Sequence, residues 1–235
     1  MTLSGEQEQF IESVLSGHNV LVDACIGSGK TTAIQELCNR FPSQAQVLYL
    51  TYNKLLKIDA KKKITRPNTF VTNYHGFAWG ELNYAGIPSG VGDLIQNYLR
   101  YKPDPPHFDV LILDEYQDIE EEVSEMLEFI KLKNPRMQLV AVGDMSQKIY
   151  DKTRLDAGAF IKDFLGSDRV ELEFTQCFRL SDGLAGTLGE IWHKRIFGVN
   201  PDCEVRTCSF DEAYQVLCEA SPSEVLVLGA NKTGT

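Results

Sequence analysis

The strongest constraint on this chain is a short turn near its start. Residues 19–24 read as a strand, and Ala24-Cys25-Ile26-Gly27-Ser28-Gly29-Lys30-Thr31-Thr32 leads from it into a helical pattern at 31–40. Strand, glycine-rich turn and helix N-terminus together make a phosphate cradle. The backbone N–H groups of the turn wrap an anion, and the helix dipole favours its negative charge. Lys30 is placed to reach the β- and γ-phosphates of a nucleoside triphosphate, and the Thr31 hydroxyl to hold Mg²⁺. Ala24 stands where such turns usually begin with glycine, which is tolerable where φ stays negative.

Short β-branched runs alternate with helical patterns along most of the 235 residues. Beyond 19–24, strands are expected at 46–51, 68–72, 109–113, 138–142, 169–174, 203–207 and 224–228. Helices are expected at 5–15, 31–40, 120–133, 157–164, 181–192 and 211–219. Several strands are apolar without alternation, as strands covered on both faces of a parallel sheet must be. The pattern predicts a doubly wound α/β domain. The Pro/Gly-rich stretch 86–106 is the least regular and reads as a surface insertion. The last residues finish a strand and open a loop, so the chain is expected to stop in mid-fold.

A second constellation lies downstream. The apolar run Val110-Leu111-Ile112-Leu113 ends in Asp114-Glu115-Tyr116-Gln117-Asp118. Paired acids at the end of a buried strand suit phosphoryl transfer. Asp114 can hold Mg²⁺, and Glu115 can orient or deprotonate an attacking water. A nucleotide kinase has no need of an acid at position 115, so hydrolysis is favoured.

Charge narrows the partners. With 23 basic and 33 acidic side chains the net charge is −10, which excludes a broad basic coat for nucleic acid. Lys54, Lys57, Lys61, Lys62, Lys63 and Arg66 form the one dense basic cluster and are the expected phosphate contacts. Met1–Phe10 is polar and acidic rather than signal-like, and no apolar run can span a bilayer. A soluble, intracellular protein (cytoplasmic or nuclear) with no membrane partner is expected. None of the six cysteines forms a CxxC pair. Cys203, Cys208, Cys218 and His193 fit no standard zinc spacing, and buried free thiols are expected.

Asp114-Glu115-Tyr116-Gln117-Asp118 resembles the DExQD box of UvrD/Rep-like superfamily 1 helicases, and other stretches fall in that family's order. Leu3-Ser4-Gly5-Glu6-Gln7 resembles the Q motif, implying that Gln7 reads the adenine edge. Leu50-Thr51-Tyr52-Asn53-Lys54 is similar to motif Ia, and Thr72-Asn73-Tyr74-His75-Gly76-Phe77-Ala78 to the TxHxFA-like motif. Both line the single-strand path in the family. Val142-Gly143-Asp144-Met145-Ser146-Gln147-Lys148-Ile149-Tyr150 resembles motif III, by which Gln147 couples the γ-phosphate to the strand surface. Cys177-Phe178-Arg179 resembles the NYR of motif IV, with Phe178 stacking on adenine and Arg179 acting as an arginine finger.

The resemblance implies a RecA-like P-loop NTPase that takes ATP and Mg²⁺, binds single-stranded DNA and moves 3′ to 5′. Its implied catalytic groups are Asp114, Glu115, Gln147 and Arg179. The ATP contacts are Gln7, Ala24, Cys25, Ile26, Gly27, Ser28, Gly29, Lys30, Thr31, Thr32 and Phe178. The nucleic-acid contacts are Tyr52, Asn53, Lys54, Asn73, His75 and Tyr150, and Thr31 and Asp114 hold the metal. Residues 1–170 would be the first RecA-like domain, with 79–108 a shortened accessory insertion, and 171–235 the start of the second.

Three departures stand out. Asp151-Lys152-Thr153-Arg154 replaces the aromatic segment that usually follows Tyr150. The accessory subdomain has too few residues. The family's later motifs are not found before Thr235, so the chain is expected to bind nucleotide better than it hydrolyses or unwinds. Trp79, Tyr84, Tyr98 and Tyr101 either stack bases or, as expected here, form the insertion's own core. The rival functional class is a nucleotide-switched binding module without processive unwinding.

Overall fold

The computed structural model describes residues 2–52, 54–88, 90–148, 154–202 and 207–221, in two compact units, Met1–Pro201 and Asp202–Thr235. The first unit is built on a six-stranded sheet of β1 (Val20–Ala24), β2 (Val47–Thr51), β3 (Thr69–Asn73), β4 (Val110–Asp114), β5 (Gln138–Gly143) and β6 (Val170–Phe174). The strand order is β3-β2-β4-β5-β1-β6, and every pairing is parallel. The expected α/β doubly wound, RecA-like architecture is the one observed.

Alternate residues of each strand serve opposite faces, as the pleat requires. Val20, Val22 and Ala24 join Phe10 and Val14 of α1 (Gly5–Leu15), Ile34 and Leu37 of α2 (Lys30–Arg40) and Ala60 of α3 (Lys54–Lys63). Leu21, Leu48, Leu50, Leu111 and Leu113 face the other way. They meet α4 (Tyr74–Tyr84), α5 (Leu94–Tyr101), α6 (Glu121–Lys133) and α7 (Ala157–Leu165). Each fully buried Val, Leu, Ile or Phe contributes roughly 1.5–3 kcal/mol, so two-sided burial holds each strand in register, and the parallel pairings put all six carboxyl ends at one edge.

After β6 the chain forms a smaller β-α-β unit of β7 (Gln176–Ser181), α8 (Asp182–Trp192) and β8 (Phe197–Asn200). Its strands pair in parallel. Cys177, Ala185 and Ile196 pack against Cys25 of the glycine-rich turn, so this unit is fastened directly to the cradle. Neither β7 nor β8 is among the expected strands. Gln-Cys-Phe-Arg-Leu-Ser carries no β-branched residue, and Phe-Gly-Val-Asn is short and contains glycine.

Two further readings are corrected. The stretch 86–106, expected as an irregular surface insertion, contributes to the core. It contains α5, whose Leu94, Ile95 and Tyr98 are buried in the core, with the Tyr98 and Phe129 rings 5.8 Å apart at a T-shaped angle. Of the four aromatic residues expected to form a core there, only Tyr98 does; Trp79, Tyr84 and Tyr101 are exposed. The first sheet also runs past residue 170, because β6 pairs with β1 from Val170 to Phe174.

Most of the strand expected at 203–207, and all of that at 224–228, lie outside the described residues; Thr207 itself is not in a strand. The second unit contributes α9 (Phe210–Glu219), begun by a capping box of Ser209 and Glu212. Cys25, Cys38 and Cys177 are buried, whereas Cys208 and Cys218 are exposed, against the expectation of buried thiols. Among the described residues no helix is long and apolar enough to cross a membrane.

Candidate nucleotide site

The cradle sits where β1 hands over to α2. Ala24 completes the strand and is absent from the non-glycine residues with positive φ, so the missing glycine costs nothing there. Gly27 (φ 66°) and Gly29 (φ 75°) take the left-handed conformations that glycine alone adopts cheaply. Their surroundings also demand glycine. A Cβ on Gly27 would lie 2.7 Å from Arg179 Cβ and 3.0 Å from Cys177 Sγ, and one on Gly29 would lie 2.7 Å from Gln7 Nε2. Ser28 turns inward, its hydroxyl donating to the Cys25 carbonyl at 2.8 Å. Cys25 and Ser28 are buried, and Ile26, Thr31 and Thr32 are half-buried.

The acids stand opposite. Lys30 Nζ lies 3.7 Å from Glu115 Oε2. Asp114, at the end of β4, is fully buried; one carboxylate oxygen accepts the Tyr49 hydroxyl at 2.8 Å, and the other, Oδ1, has no hydrogen-bond partner. Burial, reinforced by the neighbouring Glu115 charge, pushes the Asp114 carboxyl up to about 7, while the Tyr49 hydrogen bond and Lys30 oppose the rise. Glu115 adopts a left-handed backbone (φ 56°, ψ 52°), a strain of roughly 1–2 kcal/mol for a residue with a Cβ. The buried Gln117 amide holds it there by donating to Glu115 Oε2 at 2.8 Å.

Gln117 also links the acids to β5, since its carbonyl oxygen accepts the Asp144 N–H at 3.0 Å. Gly143 is needed at that crossing: a Cβ would meet Gln117 Oε1 and Tyr116 Cδ1, each at 2.6 Å. Asp144 is fully buried, and its Oδ2 accepts the Gln147 side-chain amide at 2.7 Å. Lys30, Glu115, Gln117, Asp144 and Gln147 therefore form one continuous polar chain along the carboxyl edge of the sheet.

On the other side of the cradle, Gln7 is buried and doubly held. It donates from Nε2 to the Ser28 carbonyl at 2.9 Å and accepts the Ser4 N–H on Oε1 at 3.0 Å. Phe178, 43% exposed, has its ring edge 3.9 Å from the Cβ position of Gly29, and its N–H donates to the Gly27 carbonyl at 2.9 Å. Arg179 is exposed beside Gly27. Gln7, the cradle, Phe178 and Arg179 thus share one place.

Three of the six expected nucleic-acid contacts gather elsewhere. Tyr52, Asn73 and His75 line a cavity of about 370 Å³, together with Asp118, Glu120 and Glu122. Tyr52 and His75 are exposed. The Asn73 carboxamide oxygen is taken by the N-cap of α4, accepting the Gly76 N–H at 3.0 Å. Lys57 Nζ is close by, 3.2 Å from the Cβ position of Gly76. Within the basic cluster Lys63 pairs with Asp59 at 2.9 Å, and Arg66 donates to the Asn39 carbonyl. Asn53, Tyr150 and the Lys54 side chain lie outside the described residues. A larger cavity, about 980 Å³, lies along β6 and α7, and includes neither Lys30 nor Asp114. Its carboxylates Glu6, Asp23, Asp156, Glu171 and Glu173 suit it poorly to phosphate.

Sequence reasoning misses two members of the site. Tyr49 reads as an ordinary strand residue until β2 and β4 pair. Lys194, whose ammonium reaches Asp23, Asp144 and the Ala24 carbonyl, follows α8 with no motif around it.

Comparison with known proteins bears on the fold. In fold it resembles the Pif1 helicase from Candida albicans, at 21% identity and a TM-score of 0.50, over 76% of this chain and 41% of that one. It also resembles the Pif1 helicase from Bacteroides solved in complex with ADP-AlF3 and ssDNA, at 16% identity and a TM-score of 0.51, over 82% and 47%. The chain thus spans less than half the length of either helicase. No curated protein matches it. A family model described as an AAA domain covers residues 7–153, from Gln7 through the cradle and the paired acids to Gln147. By that match the chain belongs to the AAA domain family.

Proposed function

We propose that this chain is the motor portion of an ATP-hydrolysing nucleic-acid helicase or translocase. The observation that carries the reading is the meeting of Lys30 and Glu115 at 3.7 Å across the cradle mouth, beside the partnerless buried oxygen of Asp114. A buried carboxylate oxygen with no donor is costly unless something cationic completes it. Thr31 and Asp114 fit Mg²⁺ on that ground, and the metal when bound supplies charge neutralisation at the β- and γ-phosphates.

The remaining roles follow from the side chains themselves. An arriving triphosphate draws Lys30 from Glu115, which leaves that carboxylate, still oriented by Gln117, to accept a proton from water. Gln7 keeps one amide N–H and one oxygen lone pair for the adenine edge, because its described bonds use only the others. Phe178 offers a face for stacking. Arg179, on the same strand, is the candidate γ-phosphate contact. The fold neighbours support the ligand pair, since the Bacteroides Pif1 helicase was solved with both ADP-AlF3 and ssDNA.

Single-stranded DNA is the proposed strand, held without base specificity along Tyr52, His75 and Lys57. The motifs favour the UvrD/Rep branch and 3′-to-5′ movement in an intracellular setting, whereas the fold neighbours are Pif1 helicases. A duplex with a single-stranded tail on one end or the other decides between the two directions.

A nucleotide-switched clamp is the second reading, and one observation favours it. Where the family places an accessory subdomain, residues 79–108 supply the end of α4 and the core helix α5. ATP hydrolysis by the chain with and without single-stranded DNA tests the first reading, which expects stimulation that Lys30→Ala abolishes. Nucleotide-dependent DNA binding with no hydrolysis would favour the clamp. No affinity for adenine nucleotides would end both.

A further inference from the structure

Besides its packing on Cys25, the unit that bears Phe178 and Arg179 is tied to the hydrolytic edge by an ammonium group. Lys194 Nζ donates to Asp23 Oδ1 at 2.6 Å, to Asp144 Oδ1 at 2.8 Å and to the Ala24 carbonyl at 3.3 Å. Three acceptors saturate the three N–H groups of an ammonium. Each acceptor belongs to the site's frame. Asp23 and Ala24 end the strand that opens into the cradle, and Asp144 is the carboxylate that orients Gln147.

The local chain is built to deliver this side chain. His193 ends α8 in a left-handed conformation (φ 51°), and the Lys194 N–H closes back on the Gly189 carbonyl at 2.9 Å. A Cβ on Gly189 would lie 2.7 Å from the Lys194 carbonyl oxygen, so glycine is required one turn earlier. The Asp144 carboxylate is fully buried, where a charge without a counterion is strongly unfavourable, and Lys194 provides one. The other contacts of the Asp144 carboxylate are the Ser146 N–H and the Gln147 amide. One carboxylate therefore senses Gln147 through one oxygen and the β7-α8-β8 unit through the other.

We propose that Lys194 is a positioning residue that couples the γ-phosphate state of the site, read by Gln147, to the unit carrying Phe178 and Arg179. It touches no nucleotide and acts through Asp144. The proposal rests on the reading of Lys30, Gln147 and Arg179 given above. A displacement of Gln147 toward a γ-phosphate alters the hydrogen bonding of Asp144, and Lys194 passes that change to α8 and β7. Coupling energies of this kind usually correspond to factors of about 5–150 in affinity.

The test is the affinity of the full chain for ADP and for a non-hydrolysable ATP analogue, each with Mg²⁺, by calorimetry. Wild type is expected to prefer the triphosphate. Lys194→Met is expected to lose that preference by about tenfold while ADP affinity changes less than about twofold. Lys194→Arg, which keeps the charge, is expected to restore most of it. Lys194→Met and Gln147→Ala should be non-additive, because they interrupt one path. Equal losses for both nucleotides, or additive effects, would overturn the coupling.

Should Lys194→Met leave Asp144 uncompensated and fail to melt cooperatively, its combination with Asp144→Asn removes the stranded charge. The double variant should then match Asp144→Asn alone, and a further loss of triphosphate preference would contradict the proposal. Lys30→Ala separates this inference from the reading beneath it. If Lys30→Ala abolishes binding but Lys194→Met leaves the preference intact, only the coupling fails. If wild type binds neither nucleotide, the site reading fails.

Discussion

The two candidate binding regions of this molecule are built in opposite ways. Around the cradle the side chains hold one another: Gln7 on Ser4 and Ser28, Gln117 on Glu115 and Asp144, Asp144 on Gln147 and Lys194. Around Tyr52 and His75 the side chains stand exposed at the rim of a cavity that also holds Asp118, Glu120 and Glu122. The first region is preorganised, as a site that stabilises developing charge must be. The second is open and partly acidic, as would suit the proposed strand surface, which releases its ligand after each step. On the proposed reading, rigidity collects where bonds are to be broken, and adaptability where a polymer is to slide.

If that contrast is right, the cradle side gives the largest effects. Replacing Glu115 by Gln removes the proton acceptor while keeping its shape and the Gln117 contact. Hydrolysis measured by phosphate release should fall about 10²–10⁴-fold, with nucleotide affinity nearly unchanged. A loss of binding as large as the loss of rate would mean that Glu115 serves the cradle rather than the chemistry. Next comes Lys30→Ala, which deletes one partner of a partly buried charge contact. Its expected cost is about 2–5 kcal/mol, roughly 30- to 5,000-fold in triphosphate affinity, read by calorimetry.

The open side should answer more mildly. Tyr52→Ala and His75→Ala are each expected to weaken single-stranded DNA binding about tenfold, within the 1–3 kcal/mol range of one base stacked on an aromatic ring. Nucleotide affinity without DNA should not move. Fluorescence anisotropy with a labelled oligonucleotide reads both, and equal loss of nucleotide binding would erase the distinction between the regions.

The smallest expected effect lies away from both. Glu81 on α4 is buried, and burial pushes its carboxyl up to about 7 from the usual 4.5. A raised folded pKa means that the folded chain holds the proton more tightly than the unfolded one. The associated stability is complete below about 4.5 and is lost as pH rises through about 7. Glu81→Gln should therefore flatten the fall in melting temperature between pH 5 and 8 by a few degrees. An unchanged slope in thermal melts would show that Glu81 is not the group responsible.

The same contrast explains which parts of the molecule are legible in the amino-acid sequence. The cradle is legible because a strand, two glycines at fixed offsets and Lys30-Thr31 admit few geometries. The six parallel strands are legible because two-sided burial leaves apolar runs such as Val110–Leu113. Gln7, Phe178 and Arg179 can be named only from the order of motifs, since each is an unremarkable residue by itself. What stays hidden depends on tertiary pairing. Tyr49 matters only because β2 lies beside β4 and its hydroxyl meets Asp114. Lys194 matters only because the turn after α8 aims it at Asp23 and Asp144. The helix α5 is lost among flanking glycines and prolines, although Leu94, Ile95 and Tyr98 carry helical spacing.

Every role assigned above requires that one triphosphate be bound by groups from both sides of the cradle. A crystal structure of the chain with Mg²⁺ and a non-hydrolysable ATP analogue tests this directly. Lys30 is expected on the β- and γ-phosphates, the cation beside Thr31 and Asp114, Phe178 against the adenine and Arg179 turned to the γ-phosphate. Lys30 still paired with Glu115, with the nucleotide seated elsewhere, would contradict it.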